Sequence, residues 1–190
     1  SGSFRRDGSS RLSRDSRWGN FWSVSGSWRL SQEAFMESLS NVITDAKIRA
    51  SYGVNGTQPK DYYGYMGVYE FGYNYNGNGG SSEARFYNPS LKWEKNYATN
   101  IGIDLTLFNR LTVSAEWYNR ETKDLLMDKP ISAAVGVINS SGVANMLVNV
   151  GSMRNRGFEL ELKSTNIQNK DLLWTTSLNI GHNKNKLTKL

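Results

Sequence analysis

The chain has 190 residues, a formal net charge of +6, 12% aromatic residues, 18 Gly, 3 Pro and no Cys. The absence of Cys removes disulfides, thiolate metal sites and cysteine nucleophiles together, and no run approaches the 18 apolar residues of a membrane-spanning helix. The basic residues are scattered rather than gathered into a stripe, which argues against a nucleic-acid partner.

From the N-terminus, Ser1 to Arg5 reads as the tail of a strand and Asp7-Gly8-Ser9-Ser10 as a turn. No apolar h-region or cleavage site marks a signal peptide, and both ends look like cuts through something longer. Residues 20–30 alternate, with Trp22, Val24, Gly26, Trp28 and Leu30 against Ser23, Ser25, Ser27 and Arg29. A period of two means a strand with one apolar and one polar face. The two Trp bracket a small-to-aliphatic band roughly 15 Å deep on a tilted strand, the pattern of an aromatic girdle.

Ser31 to Ser38 suits one or two helical turns capped by Ser31. A strand follows at 46–54, with Ala46, Ile48, Ala50, Tyr52 and Val54 opposing Lys47, Arg49, Ser51 and Gly53. The stretch 55–96 is a long connection dense in Tyr, Gly and Asn, a length that marks function or disorder. Its rings Tyr62, Tyr63, Tyr65, Tyr69, Tyr73 and Tyr75 offer stacking faces and hydroxyls. Part of it suits a hairpin, since Tyr69, Phe71, Tyr73 and Tyr75 alternate.

The clearest periodicity lies at 97–117. Tyr97, Thr99, Ile101, Ile103, Leu105 and Leu107, then Leu111, Val113, Ala115 and Trp117, oppose Asp104, Ser114, Glu116 and other small or polar residues. The tight link at Asn109-Arg110 predicts an antiparallel hairpin. That hairpin alone fits either half of a soluble β-sandwich or two strands of a transmembrane barrel.

A second long connection spans about 122–155. Phe158, Leu160 and Leu162 then oppose Glu159, Glu161 and Lys163, and a turn at 166–171 leads to a last strand with Trp174, Leu178 and Ile180 on its apolar face. The links therefore alternate between shorter (31–45, 108–110, 166–172) and longer (6–19, 55–96, 122–155). Short turns on one rim and long loops on the other is the asymmetry of outer-membrane barrels. On that layout Trp22, Tyr52, Tyr97, Trp117 and Phe158 form a lipid-facing girdle near the long-loop rim, with Trp28 and Trp174 near the other. Arg29, Lys47, Arg49, Asp104, Glu116, Glu159, Glu161 and Lys163 face the lumen. Ile101, Ile103, Leu105, Val113, Leu160, Leu162, Leu178 and Ile180 should share one side and stay exposed to anything but lipid.

Catalytic and metal chemistry finds little support. His182 is the single His and has no Cys or clustered carboxylates for company. Glu159 and Glu161 share a strand face at a separation a glycosidase could use, yet Lys163 continues that face as a solvated wall would. Gly-rich Asn76 to Gly80 lacks the Lys and helix of a phosphate loop. No cofactor is expected.

Several segments carry a family resemblance: Arg6-Asp7-Gly8-Ser9-Ser10-Arg11, Arg17-Trp18-Gly19-Asn20-Phe21, Lys47-Ile48-Arg49-Ala50-Ser51-Tyr52-Gly53, Asn88-Pro89-Ser90-Leu91-Lys92-Trp93-Glu94, Tyr118-Asn119-Arg120-Glu121-Thr122-Lys123-Asp124, and Asn149-Val150-Gly151-Ser152-Met153-Arg154-Asn155-Arg156-Gly157-Phe158-Glu159. They resemble the SusC/RagA family of TonB-dependent outer-membrane transporters, in the family's order and over nearly the whole chain. Leu12 stands where Phe is usual and Trp22 where Pro is usual. The resemblance implies an all-β fold, with about seven antiparallel strands of a 22-stranded barrel, in the outer membrane of a Gram-negative bacterium. It implies import of oligosaccharides or peptides, a SusD-like lipoprotein over the extracellular loops, a TonB complex as energy source, the lipid bilayer as surround, and no enzyme activity. Residues 1–190 are then a partial transmembrane barrel, with no match to the plug, the TonB-contacting segment or the final strands. A soluble carbohydrate-binding β-sandwich using the Tyr-rich loop, and a glycoside hydrolase using Glu159 or Glu161, are the rival readings.

Overall fold

The computed structural model describes residues 1–132, 134 and 144–190, with the side chains of 75 and 144 also outside the description. Among these residues the strands are β1 (Gly2–Gly8), β2 (Trp18–Arg29), β3 (Ile43–Thr57), β4 (Val68–Tyr75), β5 (Asn78–Arg85), β6 (Glu94–Leu107), β7 (Leu111–Lys123), β8 (Leu126–Ile131), β9 (Ala144–Asn149), β10 (Ser152–Gln168) and β11 (Leu173–Lys189). Seven of them form one sheet in the order β1-β2-β3-β6-β7-β10-β11, each pair antiparallel. The expected seven-strand meander is therefore present.

Two-residue alternation fixes which face each side chain takes, and the ladder carries that choice across the sheet because directly opposed residues share a face. One continuous row runs Trp28, Ile48, Ile103, Ala115, Leu160, Ile180. The next row on the other face runs Ser27, Arg49, Gly102, Glu116, Glu159, Gly181. The β6–β7 hairpin closes through Phe108 and Asn109, both at positive φ (52° and 55°), with the Arg110 amide donating to Leu107 O at 3.0 Å. Left-handed backbone at successive turn positions matches the right-handed twist of the flanking strands.

Three features differ from the sequence reading. The strands reach further than their apolar stretches, β10 and β11 each spanning 17 residues, because the ladder is backbone and continues past the apolar band through Arg154, Asn155 and Arg156. The second long connection holds an unpredicted hairpin, β8 paired with β9, whereas the hairpin expected in the first is present as β4 paired with β5. Finally, the helical turns expected at 31–38 are present as two 3₁₀ segments, Leu30–Gln32 and Ala34–Leu39, but without the expected cap. Ser31 caps neither; its hydroxyl donates to Asp45 Oδ1 at 2.9 Å.

The buried cluster is small and lies off the sheet's apolar face, where Ala46 and Val54 are buried outside the cluster. Leu12, Phe21, Leu91 and Trp93 form it, with Tyr65, Leu126 and Leu147 packed against it. It sits at the end of the sheet where the links 9–17, 58–93 and 124–151 emerge. The links at 30–42, 108–110 and 169–172 occupy the opposite end.

Candidate functional site

The polar face is a wall of paired charges and hydrogen bonds. Arg49 on β3 crosses β6 to reach β7: its Nε lies 3.2 Å from Asp104 Oδ2 and its Nη1 2.6 Å from Glu116 Oε2. The crossing is possible because Gly102 lies beneath it, where an added Cβ would meet Arg49 Cζ at 2.7 Å. Ser114 Oγ donates to the other Asp104 oxygen at 2.7 Å, so one guanidinium and one hydroxyl organise two carboxylates. Beside this cluster, Glu159 and Glu161 line a depression of about 510 Å³ with Arg49 and Glu116. Lys163 Nζ lies 2.5 Å from Glu161 Oε1, and Arg29 Nε lies 3.5 Å from Asp45 Oδ1. Lys47 stands opposite both Arg29 and Asp104. All eight charged residues singled out in the sequence thus share this face.

The seven rings singled out for a girdle share the other face. Trp22, Trp28, Tyr52, Trp117, Phe158 and Trp174 are exposed, and Tyr97 is half-buried with Lys123 Nζ 5.1 Å from its ring centroid. Trp22 and Tyr52 pack at 5.4 Å. Trp28 meets the edge of Phe35 at 6.4 Å, and its indole N–H donates to Glu33 Oε1 at 2.7 Å. Of the eight aliphatic residues expected on this side, Ile101, Leu178 and Ile180 are exposed and the other five half-buried. None is buried, although each is aliphatic.

The loop end is organised by a cap that periodicity did not predict. Trp93 packs edge-on to Phe21 at 5.3 Å and 71°, and its indole N–H donates to Arg17 O at 3.0 Å. Phe21 occupies the polar side of β2 and covers Gly56, where a Cβ would collide with its ring. Around them, Asn88 Nδ2 donates to Leu147 O at 2.8 Å, its own amide donates to Tyr65 O at 2.8 Å, and Ser13 Oγ donates to Pro89 O at 2.8 Å. The Asn149 side chain accepts from the Lys92 amide (2.8 Å) and donates to Lys92 O (2.9 Å) and Asp124 O (3.0 Å). Residues 88–94 therefore tie together all three long links. The signal available in sequence was Phe21 itself, a large ring at a position whose strand neighbours on that face are Gly19 and Ser23.

The tyrosines divide. Tyr62, Tyr63 and Tyr69 are exposed, whereas Tyr65 is held against the cap core. Arg11 donates through Nη1 to Pro59 O (2.9 Å) and Lys60 O (2.8 Å), which fixes its guanidinium 4.3 Å from the Tyr62 ring centroid. The Tyr73 hydroxyl donates to Glu70 Oε2 at 3.3 Å, and its titration is raised by desolvation and then by that carboxylate. Gly72, at φ +105°, puts a bulge between Phe71 and Tyr73 and breaks the alternation expected of 69–75. The Tyr75 side chain and residues 133 and 135–143 of the second long link lie outside the described residues.

Comparison with known proteins places this geometry. The family described as TonB dependent receptor-like, beta-barrel matches residues 1–188. The chain is 38% identical over 189 residues to TonB-dependent receptor P39 of Formosa agariphila, covering 99% of this chain and 18% of that protein. It is 36% identical over 197 residues to TonB-dependent receptor SusC of Bacteroides thetaiotaomicron, covering 98% and 19%. The RagAB peptide importer in its closed-closed state superposes with a TM-score of 0.85 at 34% identity, over 100% of this chain and 20% of that chain. The chain thus spans about a fifth of the length of the relatives it matches. These relatives are receptors and transporters rather than enzymes, and barrels of the outer membrane of Gram-negative bacteria. This two-faced antiparallel sheet belongs to the TonB-dependent receptor β-barrel family.

Proposed function

We propose that residues 1–190 form a contiguous sector of the wall of a 22-stranded outer-membrane importer of oligosaccharides or peptides. The importer works with a SusD-like lipoprotein and draws energy from a TonB complex through parts of the protein outside this chain. The apolar face meets lipid, the Arg49–Asp104–Glu116 face lines the lumen, and the long links lie outside the cell. The exposed rings Tyr62, Tyr63 and Tyr69 contact substrate or the lipoprotein, with Tyr73 beside them; aromatic faces stack on sugar rings and on apolar peptide side chains alike.

The tilt of the aromatic belts carries this reading. Trp22 registers through Val54 and Tyr97 with Glu121, yet the ring on β7 is Trp117, four positions toward the short-turn end. Four positions against three strand spacings is a slope of about 40°. The other belt shifts the same way: Trp28 registers with Ile180, and Trp174 stands six positions further toward the short turns. Six positions against five spacings is again about 40°. Strands of a membrane barrel tilt by roughly 35–45°, so the lines from Trp22 to Trp117 and from Trp28 to Trp174 run level with a bilayer, with Tyr97 and Phe158 on the long-loop side of the first. A soluble sandwich has no reason to slope both pairs of Trp alike.

The test uses the full-length receptor. Removing 68–85 joins Gly67 to Phe86, which flank the paired Val68 and Arg85, and should lower uptake while barrel assembly stays intact. Ile103→Arg should instead weaken assembly in the membrane, by about 2–4 kcal/mol. Unchanged uptake and lipoprotein binding without the hairpin would remove it from the mechanism. Normal assembly of Ile103→Arg would overturn the wall itself.

A further inference from the structure

Above the belt on the apolar face, at the long-loop end, the character of the sheet changes within two residues. Phe158 on β10 stands opposite His182 on β11, their rings 6.1 Å apart. The next two rows of that face place Arg156 opposite Lys184 and Arg154 opposite Lys186. A third like-charged pair, Lys95 opposite Lys123, lies on β6 and β7. Like charges directly opposed on a strand pair destabilise it, and here three such pairs occupy one neighbourhood.

Among the described residues, the groups facing these cations do not neutralise them. Glu121 stands opposite Arg154 on β7 and is divided between Arg154 Nη2 at 3.7 Å and Lys123 Nζ at 3.8 Å. Asn119, opposite Arg156, is uncharged. Arg154 Nε is buried without a hydrogen-bond partner. Lys95, Arg156, Lys184 and Lys186 are exposed, and none forms an ion pair among the described residues. On the polar face, by contrast, Arg49 and Lys163 each hold a carboxylate partner. Among the described residues, six cations surround one carboxylate and leave room for an anion with several acceptor oxygens, which charge-assisted hydrogen bonds would hold.

The geometry points to a binding site on the outer wall for a lipid with a phosphorylated headgroup. The phosphates would sit among Arg154, Arg156, Lys184 and Lys186, and the acyl chains would run down Phe158, Leu160 and Ile180. The proposal rests on the reading that this apolar face meets lipid. Two observations favour a lipid over free phosphate: the cations are continuous with the apolar band below them, and they lie at headgroup depth above the aromatic belt, where basic residues meet anionic lipid surfaces. Bound phosphate would also offset the repulsion within the opposed pairs.

The experiment uses the full-length receptor in detergent, with retained lipid measured by native mass spectrometry. The probes are bis-phosphorylated lipid A and the same molecule after phosphatase treatment. The unmodified receptor should prefer the phosphorylated probe by roughly a hundredfold, from about fivefold per cation for three or more cations. A triple Arg156→Gln, Lys184→Gln, Lys186→Gln variant should lose that preference, and a control with Arg156→Lys and Lys184→Arg should keep it. Equal affinity for the two probes, a preference that survives the triple variant, or equally tight binding of inorganic phosphate would each overturn the site. If the apolar face does not meet lipid, the receptor binds neither probe along this band. If only the phosphate site is wrong, tail binding persists without phosphate preference.

Discussion

The strand wall and the loop cap solve opposite problems with the same chain. In the wall, Ile101, Leu178 and Ile180 are left exposed, and order comes from the ladder and from ion pairs on the far face. In the cap, Leu12, Leu91 and Phe21 are almost wholly buried, and the Asn88 and Asn149 side chains tie residues 88–93, which belong to no ladder, to β9. The wall requires an apolar surround to finish its burial, whereas the cap completes a miniature core by itself. The difference shows that hydrophobic burial within the protein stabilises the irregular end, while the regular part is built to be buried by something else.

Four sets of changes test that contrast. The largest effect is expected in the cap: Trp93→Ala removes the edge-on partner of Phe21 and the hydrogen bond to Arg17, and should cost about 3–5 kcal/mol locally. Limited proteolysis should then cut the long links while the barrel still resists heat in detergent. If the links stay protected, the cap is not what orders them.

In the wall, Ile103→Arg places a charge at mid-height on the apolar face and should cost about 2–4 kcal/mol in bilayer refolding. Asp104→Asn, one residue on, should cost under about 1 kcal/mol. Equal costs would remove the distinction between the two faces.

A smaller effect is expected from Gly102→Ala. The new methyl must displace the end of the Arg49 side chain, which is flexible, so a cost of about 1 kcal/mol is expected from weakened ion pairs. In a double-mutant cycle with Glu116→Gln the two costs should fall short of additivity, because both act on one cluster. Strict additivity would show that Arg49 does not depend on the glycine.

The smallest stability change, below about 0.5 kcal/mol, is expected from removing 68–85, whose hairpin is a separate two-stranded unit on the surface. A large loss of barrel stability would show that wall and cap are not separable in this way.

Much of the wall was legible in the sequence, because its signal is local. Parity alone assigned Arg49, Asp104, Glu116 and Glu159 to one face and Trp22, Ile103, Trp117 and Phe158 to the other, and register could not alter that without exchanging the faces of a whole strand. The β6–β7 hairpin was equally plain from its short link. Strand ends were not legible: Arg154, Lys184 and Lys186 carry no apolar alternation, and only pairing with a neighbour keeps them extended.

Period and turn chemistry act over a few residues, so the two-faced sheet with its alternating long and short links is written into the chain itself. Which residues meet across strands is a matter of tertiary structure. It set Arg49 over Gly102 between two carboxylates, turned Phe21 into the floor of a cap built from three distant links, and placed Arg156 opposite Lys184. These are contacts between residues tens of positions apart, and cross-strand register is what brings them together, a quantity fixed only when the whole sheet forms.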